Sequence, residues 1–331
     1  MSELRQDPIT HDWVIINPAR AQRPGASSDS QSTCPFCPGN ERLAPPALDA
    51  IDEAGQWSVR VVPNKFPALS AADEQLPDAD ARHAVGRRLA GFGYHEVIIE
   101  TPSHQLADGF LPESQWRKVL EMYCRRYRVL SSADGRIRQV VLFRNHGRRA
   151  GTSLMHPHSQ IVATPVVAPE TRWRLSEEIE YFDSTGLCGA CHTVTRELAA
   201  NARVVRASNR FVTLVPYAAR APFHVQIIPR RHGAGFSEID DDDREDLAHH
   251  VSRLLGTFSR LLADPDYNLV VVTPPLDQVH RLANHWFIDI LPRLSTPAGF
   301  ELGSRIVINT QPPESAASKL REPDKPNGGS A

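Results

Sequence analysis

No stretch of this chain stays apolar for the roughly 18 residues that a membrane-spanning helix requires, so no membrane partner is expected. Neither sign of charge prevails, with 37 Lys and Arg against 39 Asp and Glu and a formal net charge of −2. Without a basic surplus the chain lacks the electrostatic footprint of a nucleic-acid binder, and none is expected as a partner. The opening residues Met1 to Asp7 are polar and mixed in charge. They lack the apolar core of a signal peptide, and a cytoplasmic address follows as the expectation. What is present, 41% hydrophobic and 23% charged residues over 331 positions, suits one large soluble domain or two moderate ones.

Cysteine is scarce too, but its placement is not random. Four of the five cysteines form two C-x-x-C pairs, Cys34/Cys37 and Cys188/Cys191, and Cys124 stands alone in a helical pattern where it reads as a core residue. In a reducing compartment such pairs point to metal ligands before structural disulfides. A thioredoxin-like motif would place one pair at a strand-to-helix junction, whereas here both pairs lie in segments that read as Pro-, Gly- and Ser-rich loops.

The pairs belong to an internal duplication. In the first half C-P-F-C is followed by V-R-V-V-P-N-K-F, ending near Asn64 and Phe66. Then come H-E-V-I-I-E-T-P-S-H (His95 to His104), a helix over Pro112 to Leu130, a strand Val140 to Phe143 and H-P-H-S-Q-I-V from His156. The second half runs C-G-A-C, V-V-R-A-S-N-R-F around Asn209 and Phe211, F-H-V-Q-I-I-P-R-R-H to His232, and a helix over Asp242 to Leu262. A strand Leu269 to Val272 and H-W-F-I-D-I-L-P from His285 complete it. Five elements in the same order predict an α+β fold of two repeats, with mainly antiparallel sheet and one long helix per repeat. The division is 1–170, 171–311 and a tail, 312–331, that reads as a short helix followed by disorder.

Each half also carries a histidine closing its first long strand (His104, His232) and one opening its last motif (His156, His285). Two thiolates and two imidazoles make a tetrahedral set suited to Zn2+: Cys34, Cys37, His104 and His156 in one half, Cys188, Cys191, His232 and His285 in the other. Two structural zinc ions per chain are expected. A single four-cysteine site, or His95 and His224 in place of His104 and His232, are the alternatives.

The segment Asn145 to Gln160, N-H-G-R-R-A-G-T-S-L-M-H-P-H-S-Q, joins a glycine-containing loop rich in donors to two histidines. Backbone N–H groups and hydroxyls of this kind surround phosphate oxygens. A neutral imidazole at His158 can attack an α-phosphorus to give a phosphoramidate, with Gln160 and Ser153 meeting the charge that gathers on the phosphoryl oxygens. The competing reading makes His158 a spare metal ligand. In the second half this position is Phe287, so one catalytic site per chain is implied.

These motifs resemble the galactose-1-phosphate uridylyltransferase family of the histidine-triad superfamily. The resemblance covers nearly the whole chain, from the opening D-P-I-T-x-x-W-V-I-I-N-P-A-R-A-x-R-P to the closing G-F-E-L-G and P-P-E-S-A-A. It implies duplicated histidine-triad-like units with the catalytic one first. It also implies His158 as nucleophile, His156 as zinc ligand, and Gln160, Ser153 and Gly151 at the phosphate. Asn64 and Asn145 would contact nucleotide, Arg20 and Arg23 substrate phosphates or sugar, and Glu301 the sugar. The implied reaction is ping-pong uridylyl transfer between a nucleotide sugar and a hexose 1-phosphate, in a homodimer. Two positions depart from the pattern: Phe300 where many members have Tyr, and no lysine in Ser295 to Ala298. The second C-x-x-C resembles the branch that includes plant ADP-glucose phosphorylase, whose acceptor would be inorganic phosphate. A zinc-stabilised nucleotide-binding protein without turnover is the reading from another class.

Overall fold

A computed structural model describes residues 2–22, 34–72, 85–104, 110–233, 235–277 and 279–321. The first half contains β1 (Glu3–Gln6), β2 (Trp13–Ile16), β3 (Asp49–Glu53), β4 (Gln56–Pro63), β5 (Arg88–Ala90), β6 (Tyr94–Ile99), α1 (Glu113–Ser131), β7 (Gln139–His146) and β8 (His158–Thr164). Then follow α2 (Pro169–Thr185), α3 (Gly189–Ala200), β9 (Val204–Ala207), β10 (Phe211–Leu214), β11 (Val225–Pro229), α4 (Asp241–Leu262), β12 (Tyr267–Val272), β13 (Phe287–Pro292), α5 (Gly299–Ser304) and α6 (Pro313–Arg321). No helix among the described residues is long and apolar enough to cross a membrane.

The duplication is written into one sheet. Ten antiparallel strands run in the order β3-β4-β6-β8-β7-β12-β13-β11-β10-β9, and five of one half mirror five of the other. The halves meet where β7 pairs β12, from Tyr267 opposite His146 to Val271 opposite Leu142. The sheet is therefore continuous across the expected division at 170, and one hydrophobic core draws on both halves. A separate small sheet, β2-β1-β5, joins the first strands of the chain to β5.

Both predicted long helices are present and cover the sheet. In α1 the stripe Trp116, Val119, Leu120, Tyr123 and Tyr127 is fully buried, each large side chain contributing about 1.5–3 kcal/mol over exposure. In α4 the buried stripe is Leu247, Val251, Leu254, Leu255 and Phe258. Its start is set by a capping box between Asp240 and Asp243, with Asp241 and Asp242 adding negative charge at the positive end of the helix dipole. The two helices pack against each other, α1 lying against β7, β4 and β8 and α4 against β10.

The structure corrects the repeat pattern in three places. The second half has two helices before its first strand: α2, none of whose residues is fully buried, and α3, which carries the second C-x-x-C. Cys188 caps α3 and Cys191 lies in its first turn, so that pair is not in a loop. The match of Asn209 to Asn64 is also displaced. Val61 pairs with Ile98, three residues beyond His95, and Thr213 with Ile227, three beyond His224. Pro216 is thus the counterpart of Asn64, and Asn209 sits in the turn before β10. In the tail, α6 is the expected short helix, and it is packed: Ala316, Ala317 and Leu320 are buried.

Candidate functional site

The eight expected metal ligands assemble as two clusters, one per half, in each of which the four ligand atoms lie within 4.8 Å of one another. Cys34 Sγ is 3.8 Å and Cys37 Sγ 3.6 Å from His156 Nδ1, and Cys37 Sγ is 3.2 Å from His104 Nδ1. In the second cluster Cys188 and Cys191 Sγ lie 3.8 and 3.5 Å from His285 Nδ1, and Cys191 Sγ 3.4 Å from His232 Nδ1. Tetrahedral zinc geometry, with metal–sulfur and metal–nitrogen bonds of about 2.3 and 2.0–2.1 Å, places S and N about 3.6 Å apart, and both clusters fit. The rings are oriented for it. With Nδ1 toward the sulfurs, Nε2–H of His156 donates to the Thr101 carbonyl at 2.8 Å, that of His285 to Pro229 at 3.1 Å and that of His232 to Arg281 at 3.0 Å. Such outer contacts hold ligating imidazoles in one tautomer.

Sulfurs packed this closely retain a proton between them. Burial, then the neighbouring Cys34, pushes the Cys37 thiol up to about 11, while the hydrogen bond from Cys191 holds Cys188 down at about 3. A divalent cation displaces that proton on binding. The clusters are separate, which rejects a merged four-cysteine site. His95 and His224 are committed elsewhere, to Gln160 at 2.9 Å and Asp289 at 2.6 Å. Cys124 is buried in the core beneath α1.

The last ligand of the first cluster, His156, is followed at once by β8, and the pleat of that strand arranges the chemistry. His158 and Gln160 share one face; Ser159 points the other way, where its hydroxyl donates to Glu100 beside Tyr123 of α1. Glu100 is fully buried and also accepts from Tyr123 OH at 2.9 Å and Arg144 Nε at 2.8 Å, so the strand is held from behind by a satisfied ionic network. His158 Nδ1–H donates to the carbonyl of His156 at 2.8 Å. That contact fixes the neutral tautomer with its lone pair on Nε2, the atom a nucleophilic imidazole needs. Phe36, from inside C-P-F-C, packs edge-on against His158, the ring centroids 5.3 Å apart.

His158 opens onto a cavity of about 530 Å³. Pro35, Phe36, Leu43, Ala44, Pro45 and Leu154 make an apolar wall. Arg42, Asn64, Lys65, Ser153 and Gln160 make a polar one. Of the sequence candidates, His158, Gln160, Ser153 and Asn64 therefore meet in one place. Arg20 stands behind the wall, its guanidinium donating to the Phe66 carbonyl at 2.5 Å. Gly151 adopts the left-handed conformation (φ 90°) at the end of the glycine loop. Asn145 lies on β7 and accepts from Asn268 at 2.8 Å, and Glu301 lies in α5, its carboxylate accepting from the Ala298 amide. Neither lines this cavity. Arg23 lies outside the described residues. Sequence reading overlooked Phe36, Arg42 and Lys65, although C-P-F-C and N-K-F already contained two of them.

Residues 1–168 match the family model described as galactose-1-phosphate uridyl transferase, N-terminal domain, and residues 145–294 the model of its C-terminal domain. An Arabidopsis thaliana protein named ADP-glucose phosphorylase is 36% identical, over 97% of this chain and 92% of its own length. The galactose-1-phosphate uridylyltransferase of Thermotoga maritima is 28% identical, over 97% and 98%. Among solved structures, that of an Arabidopsis thaliana ADP-glucose phosphorylase with bound ADP-glucose superposes with a TM-score of 0.78 at 35% identity, covering 98% of this chain and 100% of that one. A uridylyltransferase structure gives 0.80 at 27% identity, covering 96% and 97%. The class so defined is that of the nucleotidyltransferases. Within it, the chain belongs to the galactose-1-phosphate uridylyltransferase family.

Proposed function

We propose that the protein transfers a nucleotidyl group through His158, with ADP-glucose as donor and inorganic phosphate as acceptor. The observation that carries the first part is the His158–His156 contact, which leaves an unprotonated Nε2 at the edge of a cavity with one apolar and one polar wall. Nε2 attacks the α-phosphorus, the bond from phosphorus to the glucose 1-phosphate oxygen breaks, and a nucleotidyl-histidine forms. Gln160 and Ser153 donate to the non-bridging oxygens as charge gathers there. A phosphate oxygen then attacks the same phosphorus, the P–N bond breaks, ADP leaves and neutral His158 is restored.

Both Cys2His2 clusters are assigned to Zn2+, whose closed tetrahedral sites stabilise the fold and seat the start of β8. Donor and acceptor are assigned from the Arabidopsis relative named ADP-glucose phosphorylase, which is more similar than the Thermotoga uridylyltransferase over the same span. Phosphate as acceptor also needs no sugar contacts, consistent with Phe300 and the absent lysine before Gly299. The second reading is uridylyl transfer from UDP-glucose to galactose 1-phosphate. It is favoured by the family as a whole, and under either reading the chain would act as a homodimer.

Parallel assays separate the two. Glucose 1-phosphate release from ADP-glucose and phosphate should exceed UDP-galactose formation from UDP-glucose and galactose 1-phosphate. The opposite ranking would assign the uridylyltransferase reading instead.

A further inference from the structure

His95 is buried at the start of β6 and takes no part in either metal cluster. Its ring is bracketed by two groups that decide where its proton sits. On one side the backbone amide of Ala68 lies 3.0 Å from Nδ1, and an amide N–H can only donate. Nδ1 is therefore the acceptor, and the neutral ring carries its proton on Nε2. On the other side Nε2 lies 2.9 Å from Gln160 Oε1. The reverse orientation of Gln160 would set its –NH2 against an N–H, donor against donor.

A second contact enforces the same choice. Phe66 N–H donates to Asn64 Oδ1 at 2.9 Å, which leaves Asn64 Nδ2 3.3 Å from Gln160 Oε1 and 3.1 Å from His95 Nε2; because Nε2 carries the proton, the Asn64 amide can donate only to the Gln160 oxygen. With its oxygen held by two donors, the group that Gln160 offers the cavity is its –NH2. That is the polarity needed to meet phosphoryl oxygens next to His158, two residues away on the same face of β8.

The duplication supplies an internal comparison. In the second half Arg220 N–H donates to His224 Nδ1 at 3.1 Å, and His224 Nε2–H donates to Asp289 Oδ1 at 2.6 Å. The tautomer is the same, but the residue it faces is a carboxylate with no donor to offer, and Phe287 replaces the nucleophile. The histidine device occurs twice; only where it holds an amide is there a cavity-facing histidine beside it.

We propose that His95 is a positioning residue that, through its Nε2–H tautomer, locks the Gln160 amide with –NH2 toward the transferring phosphoryl group. The proposal rests on the reading of His158 as nucleophile. Two substitutions separate the parts of the ring. His95→Gln places an amide N–H near the position of Nε2 and keeps the donor to Gln160. His95→Asn places an oxygen near the position of Nδ1, keeps the acceptor for Ala68 and loses that donor. Single-turnover nucleotidylation should stay close to wild type in H95Q and slow by about 10- to 100-fold in H95N, with donor KM changing less than kcat. In a Gln160→Ala background H95N should add no further loss. Equal slowing in H95Q and H95N, or an undiminished effect of H95N on top of Gln160→Ala, would reduce His95 to a packing residue and overturn the proposal. The tautomer is read separately, by nitrogen NMR of the imidazole in the nucleotide-free protein. A proton on Nδ1 contradicts the positioning chain whatever the activity, whereas wild-type protein that labels with neither nucleotide sugar contradicts the nucleophile reading itself.

Discussion

At the scale of single residues, the candidate site was legible wherever chemistry demands a particular side chain at a particular spacing. Thiolates separated by two residues, and histidines at matching points of two repeats, have few uses other than a metal, and all eight fall into two clusters. The H-x-H alternation was informative because a strand sends both side chains to one face, yet only one fits a four-ligand set. Hydrogen-bonding partners were not legible. That His95 would serve Gln160, and His224 serve Asp289, depends on strand register, which no local pattern states. Asp289 is the clearest case. Burial alone would raise its pKa, but donation by His224, the charge of Arg220 and donation by Gln226 outweigh burial and hold it at about 2. Because the folded value lies below the unfolded one, this stabilisation is complete above about pH 4 and is lost as pH falls through about 2, and it amounts to about 2 kcal/mol. Asp289→Asn should therefore unfold more readily in urea at neutral pH, and its deficit against wild type should close as the pH falls through that window. A gap that persists unchanged at the acid end would show that the carboxylate's charge contributes nothing.

At the scale of elements, amphipathic periodicity located α1 and α4 within a residue or two, because each buries one long stripe. It missed α2, which buries no residue completely and so shows no stripe, although Pro169 at its start and Gly186 in the left-handed conformation at its end marked both limits. The loop joining β7 to β8 is held by residues of the second half. Asp266 accepts from Arg149 N–H. Asn268, its oxygen held by Arg293, donates to Asn145 Oδ1 at 2.8 Å and to the Ala150 carbonyl at 3.0 Å. Gly147 has φ 80°, and a Cβ there would lie 2.0 Å from the Asp266 carboxylate, so the loop closes only around glycine. Asn268→Ala removes two hydrogen bonds, each worth about 0.5–1.5 kcal/mol, and should slow nucleotide transfer without loss of metal. Transfer at the wild-type rate in that variant would mean that the loop holds its shape unaided.

At the scale of the whole molecule, the order of repeats predicted the paired architecture, and its antiparallel character followed from strands joined by local turns and helices. That ten strands would join in one sheet was hidden, because the β7–β12 pairing links residues as far apart as Phe143 and Val270, with nothing local to announce it. The duplication also makes the two clusters unequal. All four ligands of the first are buried, whereas in the second Cys191 is partly exposed and His232 exposed. A chelator should therefore remove metal in two phases of one equivalent each, the second-half site first, with activity outlasting the first phase because the cavity adjoins the other cluster. One phase carrying both equivalents would argue that the sites open together.

The central claim is that His158 carries the nucleotide, and intact mass measurement after mixing with ADP-glucose in the absence of phosphate tests it most directly. The account predicts one added nucleoside monophosphate per chain, stable in base, labile in acid and localised to His158 by digestion. His158→Asn should keep both metals and remain unmodified. A nucleotide adduct on another residue, or one that survives in His158→Asn, would contradict it.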